Sequence, residues 1–221
     1  MKKHFIALAC TALLISCKNE NTKEVAIEET PELSIQVAQN SGLDQWNEVK
    51  QVAFTFNVER GGEIMVSRNW QWNPQSDQVT LTSNTDTITY NRSQQLDSLA
   101  LSADRAFVND VYWLVPQFKL AWDQGKEITY PESADSKMIK VQYTGDDGYT
   151  PGDRYDMVID DQMNINKWMY YPKGATEPAM TTSFADYVKY NGIKIATNHR
   201  TPDGSLNIYF TDITITKSQS L

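Results

Sequence analysis

Between Val52 and Trp72 the chain keeps a period of two. Val52, Phe54, Phe56 and Val58 alternate with Ala53, Thr55 and Asn57, and Ile64, Val66, Arg68, Trp70 and Trp72 take every second place on the return. Successive strand side chains point to opposite faces, so this pattern gathers one apolar set on one side. Arg60-Gly61-Gly62-Glu63 joins the two runs. Its glycines accept the positive φ of a tight hairpin. The chain must therefore build an antiparallel sheet with a greasy face, and something must cover that face.

The same rhythm returns further on. Val79-Thr80-Leu81 and Thr87-Ile88-Thr89-Tyr90 are short strands after a turn at Asn73-Pro74-Gln75-Ser76. Met138 to Tyr143, Tyr155 to Ile159, Ile165 to Tyr171, 180–190, 193–197 and 206–215 follow, with Thr201-Pro202-Asp203-Gly204 a strong turn signal. Two stretches are helical by spacing. Leu43, Trp46 and Val49 predict a helix over 42–50, with Ser41 as its cap. Phe107, Val108, Val111, Tyr112 and Leu114 predict one over 102–115, capped by Ser102 and stopped by Pro116. Phe118, Leu120 and Trp122 then alternate as an extended piece. The expected fold is mainly β (α+β): a curled antiparallel sheet, or incomplete β-barrel, with two helices, one acting as lid or plug.

The N-terminus carries a different message. Lys2 and Lys3 precede an apolar run from Phe5 to Ile15. That run is too short for a membrane span of about 20 residues and suits a secretory signal. Leu14-Ile15-Ser16-Cys17 ends it and resembles a bacterial lipobox, which implies cleavage before Cys17 and diacylglycerol on its sulfur. The expected organisation is a signal peptide at 1–16, the acylated Cys17 and a polar, acidic tether at 17–35, and one β domain at 36–221. Cys10 leaves with the signal and Cys17 is consumed, so the domain has neither a disulfide nor a cysteine nucleophile or ligand. Anchoring by two or three acyl chains is firm. Lys18-Asn19-Glu20 has only one acid close to the cysteine, a weak match to the surface-export signal of Bacteroidota lipoproteins.

Formal charge is −8, and loss of Lys2 and Lys3 takes it to −10. So acidic a chain argues against nucleic acid and against an anionic membrane surface as partners. Catalytic patterns are sparse. His199, the one histidine after the signal, is expected in a solvated loop beside Arg200. There is no Gly-x-Ser-x-Gly elbow, phosphate loop or dinucleotide fingerprint, and too few ligands for zinc. Asp146, Asp147, Asp153, Asp156, Asp160 and Asp161 crowd one stretch. Their spacing misses the EF-hand pattern; turn chemistry, calcium or a carboxylate pair would each use such residues. No enzyme activity, cofactor or metal is expected.

The apolar face suggests binding instead. Val52, Phe54, Phe56, Ile64, Val66 and Trp70 would line a trough, with Phe107 and Val111 closing over it from the helix, and Arg68 placed to meet an anionic headgroup. An apolar ligand, a lipid or acyl chain, would fit there. Sheet and helix packed directly on each other need the same pattern. The domain would then work as a surface interaction lipoprotein, binding glycan or protein through exposed aromatics such as Trp72 or Trp168.

The order of elements resembles the LolA/LolB-like superfamily of lipoprotein carriers and receptors, and more closely a group of Bacteroidota outer-membrane lipoproteins near it. The resemblance is carried by Gly42-Leu43-Asp44-Gln45-Trp46, Phe54-Thr55-Phe56, Phe107-Val108-Asn109-Asp110 with Tyr112-Trp113-Leu114, and Phe118-Lys119-Leu120. Tyr155-Asp156-Met157-Val158-Ile159-Asp160, and Asp186-Tyr187 leading to Asn191-Gly192-Ile193-Lys194-Ile195, complete it over roughly 42–216. It implies an incomplete barrel around helices, an apolar cavity for lipid chains, no enzyme activity, and a place at the outer membrane. A chain that is itself lipidated departs from the soluble shuttles and fits a membrane-bound lipid handler.

Overall fold

The computed structural model describes residues 32–83, 86–131, 136–145 and 151–218. The signal segment, Cys17 and most of the tether lie outside these residues, as do Asp146 and Asp147. The chain opens with α1 (Leu33–Asn40), which buries Ser34, Val37 and Ala38. Residues 33–35, expected in the tether, thus belong to the domain.

The helix expected over 42–50 is a short 3-10 turn, Leu43–Glu48, after Gly42 in a left-handed conformation. Ser41 does not cap it. Its hydroxyl donates to the Val37 carbonyl at 3.0 Å, so it closes α1 instead. Val49 opens the first strand rather than ending a helix. Trp46 carries the packing, with ring centroids 5.5 Å from Trp72, 5.0 Å from Phe118 and 4.9 Å from Trp122.

β1 (Val49–Arg60) and β2 (Glu63–Asn73) form the expected hairpin, with φ of +61° at Gly61 and +86° at Gly62. β3 (Gln78–Thr82) and β4 (Thr87–Asn91) continue the meander. After the helical segment come β5 (Lys126–Thr129), β6 (Lys137–Tyr143), β7 (Arg154–Ile159), β8 (Ile165–Tyr171) and β9 (Met180–Ser183). β10 (Ala185–Tyr190), β11 (Ile193–Arg200) and β12 (Leu206–Lys217) close the order.

The strands make two antiparallel sheets, not one. The larger runs β10-β11-β12-β1-β2-β3-β4 and the smaller β5-β6-β7-β8-β9, and neither closes into a barrel. The stretch 180–190, expected as one strand, changes sheet at Phe184, between β9 and β10. The Phe184 amide still donates to the Asn166 carbonyl at 3.0 Å. β1 is the central strand, hydrogen-bonded to β12 on one side and β2 on the other. A register shift between Ala53 and Thr55 breaks its ladder to β12, where Asp212 has a φ of +54°. Such a bulge bends and twists a strand.

α2 (Ser98–Leu114) starts four residues before the expected Ser102. Asp97 caps it, accepting from the Ala100 amide at 2.8 Å. The first turn hides from periodicity because Leu99 and Leu101 face solvent. Replacing Asp97 by alanine is expected to cost about 1 kcal/mol, read as a lower urea midpoint at unchanged slope. Pro116 ends one helix and begins another. α3 (Pro116–Trp122) has the proline at its first position, where the ring's fixed φ suits a helix start. The alternation of Phe118, Leu120 and Trp122 imitated a strand because this short helix is buried on nearly every side: Gln117 is enclosed along with Phe118 and Leu120.

Gly192 shows how closely the 3-10 turn and the β10–β11 hairpin approach. A Cβ there would press on the end of the Gln45 side chain, and the backbone φ of +89° is one that side-chain-bearing residues rarely adopt. Only a residue without a side chain suits that place.

Candidate functional site

A cavity of about 390 Å³ lies between α2 and the two sheets. α2 supplies one wall. Arg105, Val108, Asn109 and Tyr112 fall at the three- and four-residue spacing that shares a helix face, and Trp113 adjoins them. Along this wall Arg105 and Asn109 are exposed, Val108 and Tyr112 half-buried, and Trp113 buried. Phe56 and Val58 of β1, Arg68 of β2 and Ile208 of β12 come from the larger sheet. Tyr155 of β7, Trp168 and Tyr170 of β8, and Met180 of β9 come from the smaller.

The rings of the smaller sheet stand nearly parallel. Tyr155 lies 5.5 Å from Trp168 and 5.4 Å from Tyr170, each pair inclined by 26°, and Trp168 and Tyr170 are inclined by 11°. This follows from register: Tyr155 faces Tyr170 across the β7–β8 ladder, and Trp168 stands two residues along the same face. The helix meets this wall through Trp113, 4.5 Å from Trp168, and Tyr112, 4.8 Å from Tyr155. Tyr112, Tyr143 and Tyr170 hold their protons more tightly than an ordinary tyrosine. Desolvation, then the neighbouring tyrosines, push Tyr112 well up. Tyr143, whose hydroxyl donates to Asp123 Oδ2 at 2.6 Å, is raised first by burial and then by that carboxylate. Tyr170 is pushed up to about 12 by desolvation and by Asp153, which accepts from its hydroxyl at 2.8 Å.

Arg68 forms a two-point ion pair with buried Asp110. Its Nε donates to Asp110 Oδ2 at 2.7 Å and its Nη2 to Oδ1 at 2.6 Å. Trp70 Nε1 donates to Oδ2 at 2.8 Å and Asn109 Nδ2 to Oδ1 at 3.0 Å. Four donors thus hold one buried carboxylate and tie β2 to α2. Burial outweighs Arg68 and raises the Asp110 pKa above the ordinary carboxylate value. The guanidinium also sits 5.0 Å from the Phe56 ring centroid.

Of the nine residues expected to bind ligand, the structure puts Phe56 and Arg68 on the cavity. Val52, Phe54, Trp70, Phe107 and Val111 are buried in the packed seam between the larger sheet and α2, with Trp70 and Phe107 5.4 Å apart. Ile64 lies near the hairpin tip and is exposed, and Val66 packs half-buried at the core's edge. So that part of the trough is filled, and open space begins where the smaller sheet faces α2. The Tyr155, Trp168 and Tyr170 wall went unanticipated. Its signal was the alternation of aromatics in β7 and β8, but nothing in the sequence says that this face meets α2. Trp72 and Trp168, offered as exposed aromatics for a surface partner, are buried.

His199 is not a loop residue. It lies in β11, fully buried, with its ring 4.0 Å from Phe184, 5.5 Å from Trp113 and 5.7 Å from Phe210. Neither ring nitrogen makes a well-formed hydrogen bond, and the Ser183 backbone is the nearest approach to one. Burial pushes its pKa down to about 3, with only the Ser183 backbone opposing.

Asp153, Asp156 and Asp160 serve separate structural tasks. Asp153 also accepts from the Lys173 amide at 3.0 Å, Asp156 pairs with Arg154 at 3.1 Å, and Asp160 accepts from the Gln162 and Asn164 amides in the β7–β8 turn. Among the described residues no group of three or more His, Cys, Asp or Glu could hold a metal ion. Among them, too, no helix is long and apolar enough to cross a membrane.

No protein-family model matches the chain, and no curated protein matches it. Among solved structures it is similar to a DUF1329 family protein from Desulfovibrio piger, with 13% identity and a TM-score of 0.43 over 86% of this chain and 92% of that one. It is similar to a LolA superfamily protein from Nitrosomonas europaea, with 10% identity and a TM-score of 0.45 over 85% and 94%. It is also similar to a domain from Vibrio parahaemolyticus assigned to outer membrane lipoprotein sorting, with 9% identity and a TM-score of 0.46 over 85% and 93%.

Proposed function

We propose that this chain is an envelope lipoprotein, anchored through acylated Cys17, whose β domain holds a lipid or another apolar ligand between α2 and its two sheets. The observation that carries the binding half is the cavity. Its volume of about 390 Å³ falls in the range of small-molecule sites, and Phe, Tyr and Trp side chains dominate its lining. A packed core leaves few voids larger than a water molecule, so space of this size between well-packed elements needs a reason. The anchoring half rests on the order of charge, apolar run, small residue and cysteine at the N-terminus.

Mass spectrometry tests both halves on protein taken gently from a bacterial membrane. The expected N-terminal peptide begins at acylated Cys17. Under native conditions the protein is expected to carry an added mass that organic solvent releases. Met180→Trp, which places a large ring at the cavity's edge, is expected to keep the fold and lose the added mass. A protein that is bare in native spectra and takes up no fluorescent acyl probe would sink the binding half. An N-terminal peptide without acyl chains would sink the anchor.

A further inference from the structure

We infer that the binding site runs on past Met180 into a polar cleft, and that its ligand is a single-chain amphiphile with a zwitterionic head, its anionic group at Arg60 and its cationic group at Asp203. The inference deepens the apolar-ligand reading and rests on it. The cleft is an open space of about 610 Å³, lined by Arg60, the start of β9, and the β11–β12 turn down to Leu206. Three observations join it to the inner cavity and say what it would hold. First, the two spaces follow one another along one face. Met180 lines both. Phe56, Val58 and Arg60 take alternate places on β1, opposite Phe210, Ile208 and Leu206 of β12. Residues at that spacing share a face. Phe56, Val58 and Ile208 line the cavity, and Arg60 and Leu206 line the cleft. A strand rises about 14 Å over the four steps from Phe56 to Arg60, so one extended body lying along β1 reaches from the aromatic wall to the cleft. The inner cavity, at about 390 Å³, is near the lower end of small-molecule sites and suits one acyl chain rather than several. Second, exposure rises in the same order. Phe56 is buried, Val58 half-buried and Arg60 exposed, so the site passes from apolar to polar as an amphiphile does. Third, the cleft carries one charge of each sign, and the two are not paired. Asp203 Oδ1 accepts from the Thr201 hydroxyl at 2.7 Å and from the Ser205 hydroxyl and amide at 2.9 and 3.1 Å. Those donors, Thr201 first, hold the carboxyl below its usual pKa, so it stays charged. Among the described residues no side chain pairs with the Arg60 guanidinium, in contrast to Arg68 on Asp110. A wholly anionic head would meet Asp203, and a wholly cationic one would meet Arg60. A head with a phosphate and an ammonium answers both.

The test uses three probes with the same myristoyl chain, each below its micelle concentration: a lysophosphatidylethanolamine, a lysophosphatidylglycerol and a monoacylglycerol. Their heads are zwitterionic, anionic and uncharged. Binding to the full chain is followed by tryptophan fluorescence, since Trp113 and Trp168 line the cavity. The zwitterion is expected to bind about tenfold more tightly than the monoacylglycerol, with the anion between them. Arg60→Gln, at an exposed strand end, is expected to lower the zwitterion to the level of the uncharged probe. Asp203→Asn, which keeps a side-chain oxygen for the turn, is expected to bring the anion level with the zwitterion. Binding of the monoacylglycerol reports that each variant is folded. Equal affinities for the three heads, an anion that binds tightest to the parent, an undiminished preference in Arg60→Gln, or an unchanged ranking in Asp203→Asn overturns the head assignment while the apolar cavity stands. Failure of all three probes to bind overturns the cavity reading, and this inference with it.

Discussion

Arg68→Met is expected to destabilise the domain by about 3 kcal/mol, the lower end of what breaking a buried ion pair costs. The lower end applies because Arg68 keeps 27% of its side-chain surface in water, whereas Asp110 keeps none. The methionine leaves the carboxylate with Trp70 and Asn109 as donors but without its counter-charge. Asp110 then has a cheaper course than staying ionised, which is to take a proton. Its folded pKa, already raised by burial, climbs further above the unfolded value of about 3.9. A group with its folded pKa raised stabilises fully below its unfolded pKa and loses that contribution as pH rises through the folded one. The deficit of Arg68→Met against the parent is therefore expected to be largest near neutrality and to shrink toward acid. Urea titrations at several pH values measure it. The double variant Arg68→Met/Asp110→Leu is expected to recover only part of the loss, since removing both charges relieves the uncompensated carboxylate but leaves the buried Trp70 indole N–H without its acceptor. A single-variant loss below about 1 kcal/mol would mean that the pair does not tie α2 to β2 in solution.

The second large effect concerns acid. His199 has a folded pKa near 3 against an unfolded value of about 6.5. Between those values the unfolded chain binds a proton that the native state refuses. Stability from this group is therefore present above about pH 6.5 and lost as pH falls toward 3, at up to about 1.4 kcal/mol per pH unit. Carboxylates add their own slopes, so the measurement is a difference. Unfolding free energies of the parent and of His199→Leu between pH 4 and 7 should diverge by one proton's slope, with the variant less sensitive. Parallel curves would show that His199 gains a proton partner in solution.

Why a histidine sits there was not legible in the sequence. His199-Arg200 ahead of a Thr-Pro-Asp-Gly turn has the look of a loop, yet the strand runs on to Arg200 before the turn begins. Local chemistry was more readable. The Gly61-Gly62 hairpin is where two glycines put it, because only backbone conformation decides that turn. Helix ends were harder. Asp97 caps α2 ahead of two exposed leucines, which blurs the apolar stripe over the first turn. α3 was harder still, since a short helix enclosed on most sides has no polar stripe to set its period. The site divides along the same line. Period two puts Phe56 and Arg68 on one face, and they are partners across the β1–β2 ladder. Whether a face meets a helix, another sheet or open space depends on non-local packing, and the Tyr155, Trp168 and Tyr170 wall became visible only when the smaller sheet folded toward α2.

The pairing of β1 with β12 has a consequence for the order of events in folding. The larger sheet is stitched at its centre by strands from opposite ends of the domain, with Val49 facing Lys217 and Arg60 facing Leu206. The β1–β2 hairpin is a local contact, whereas the β1–β12 seam must wait until the last strand is available, and closing so long a loop is slow. A chain threaded through a membrane pore from its N-terminus would emerge with β1 lacking one neighbour until the very end of its passage. Until then β1 would present an unpaired edge, the kind of surface that invites wrong pairing.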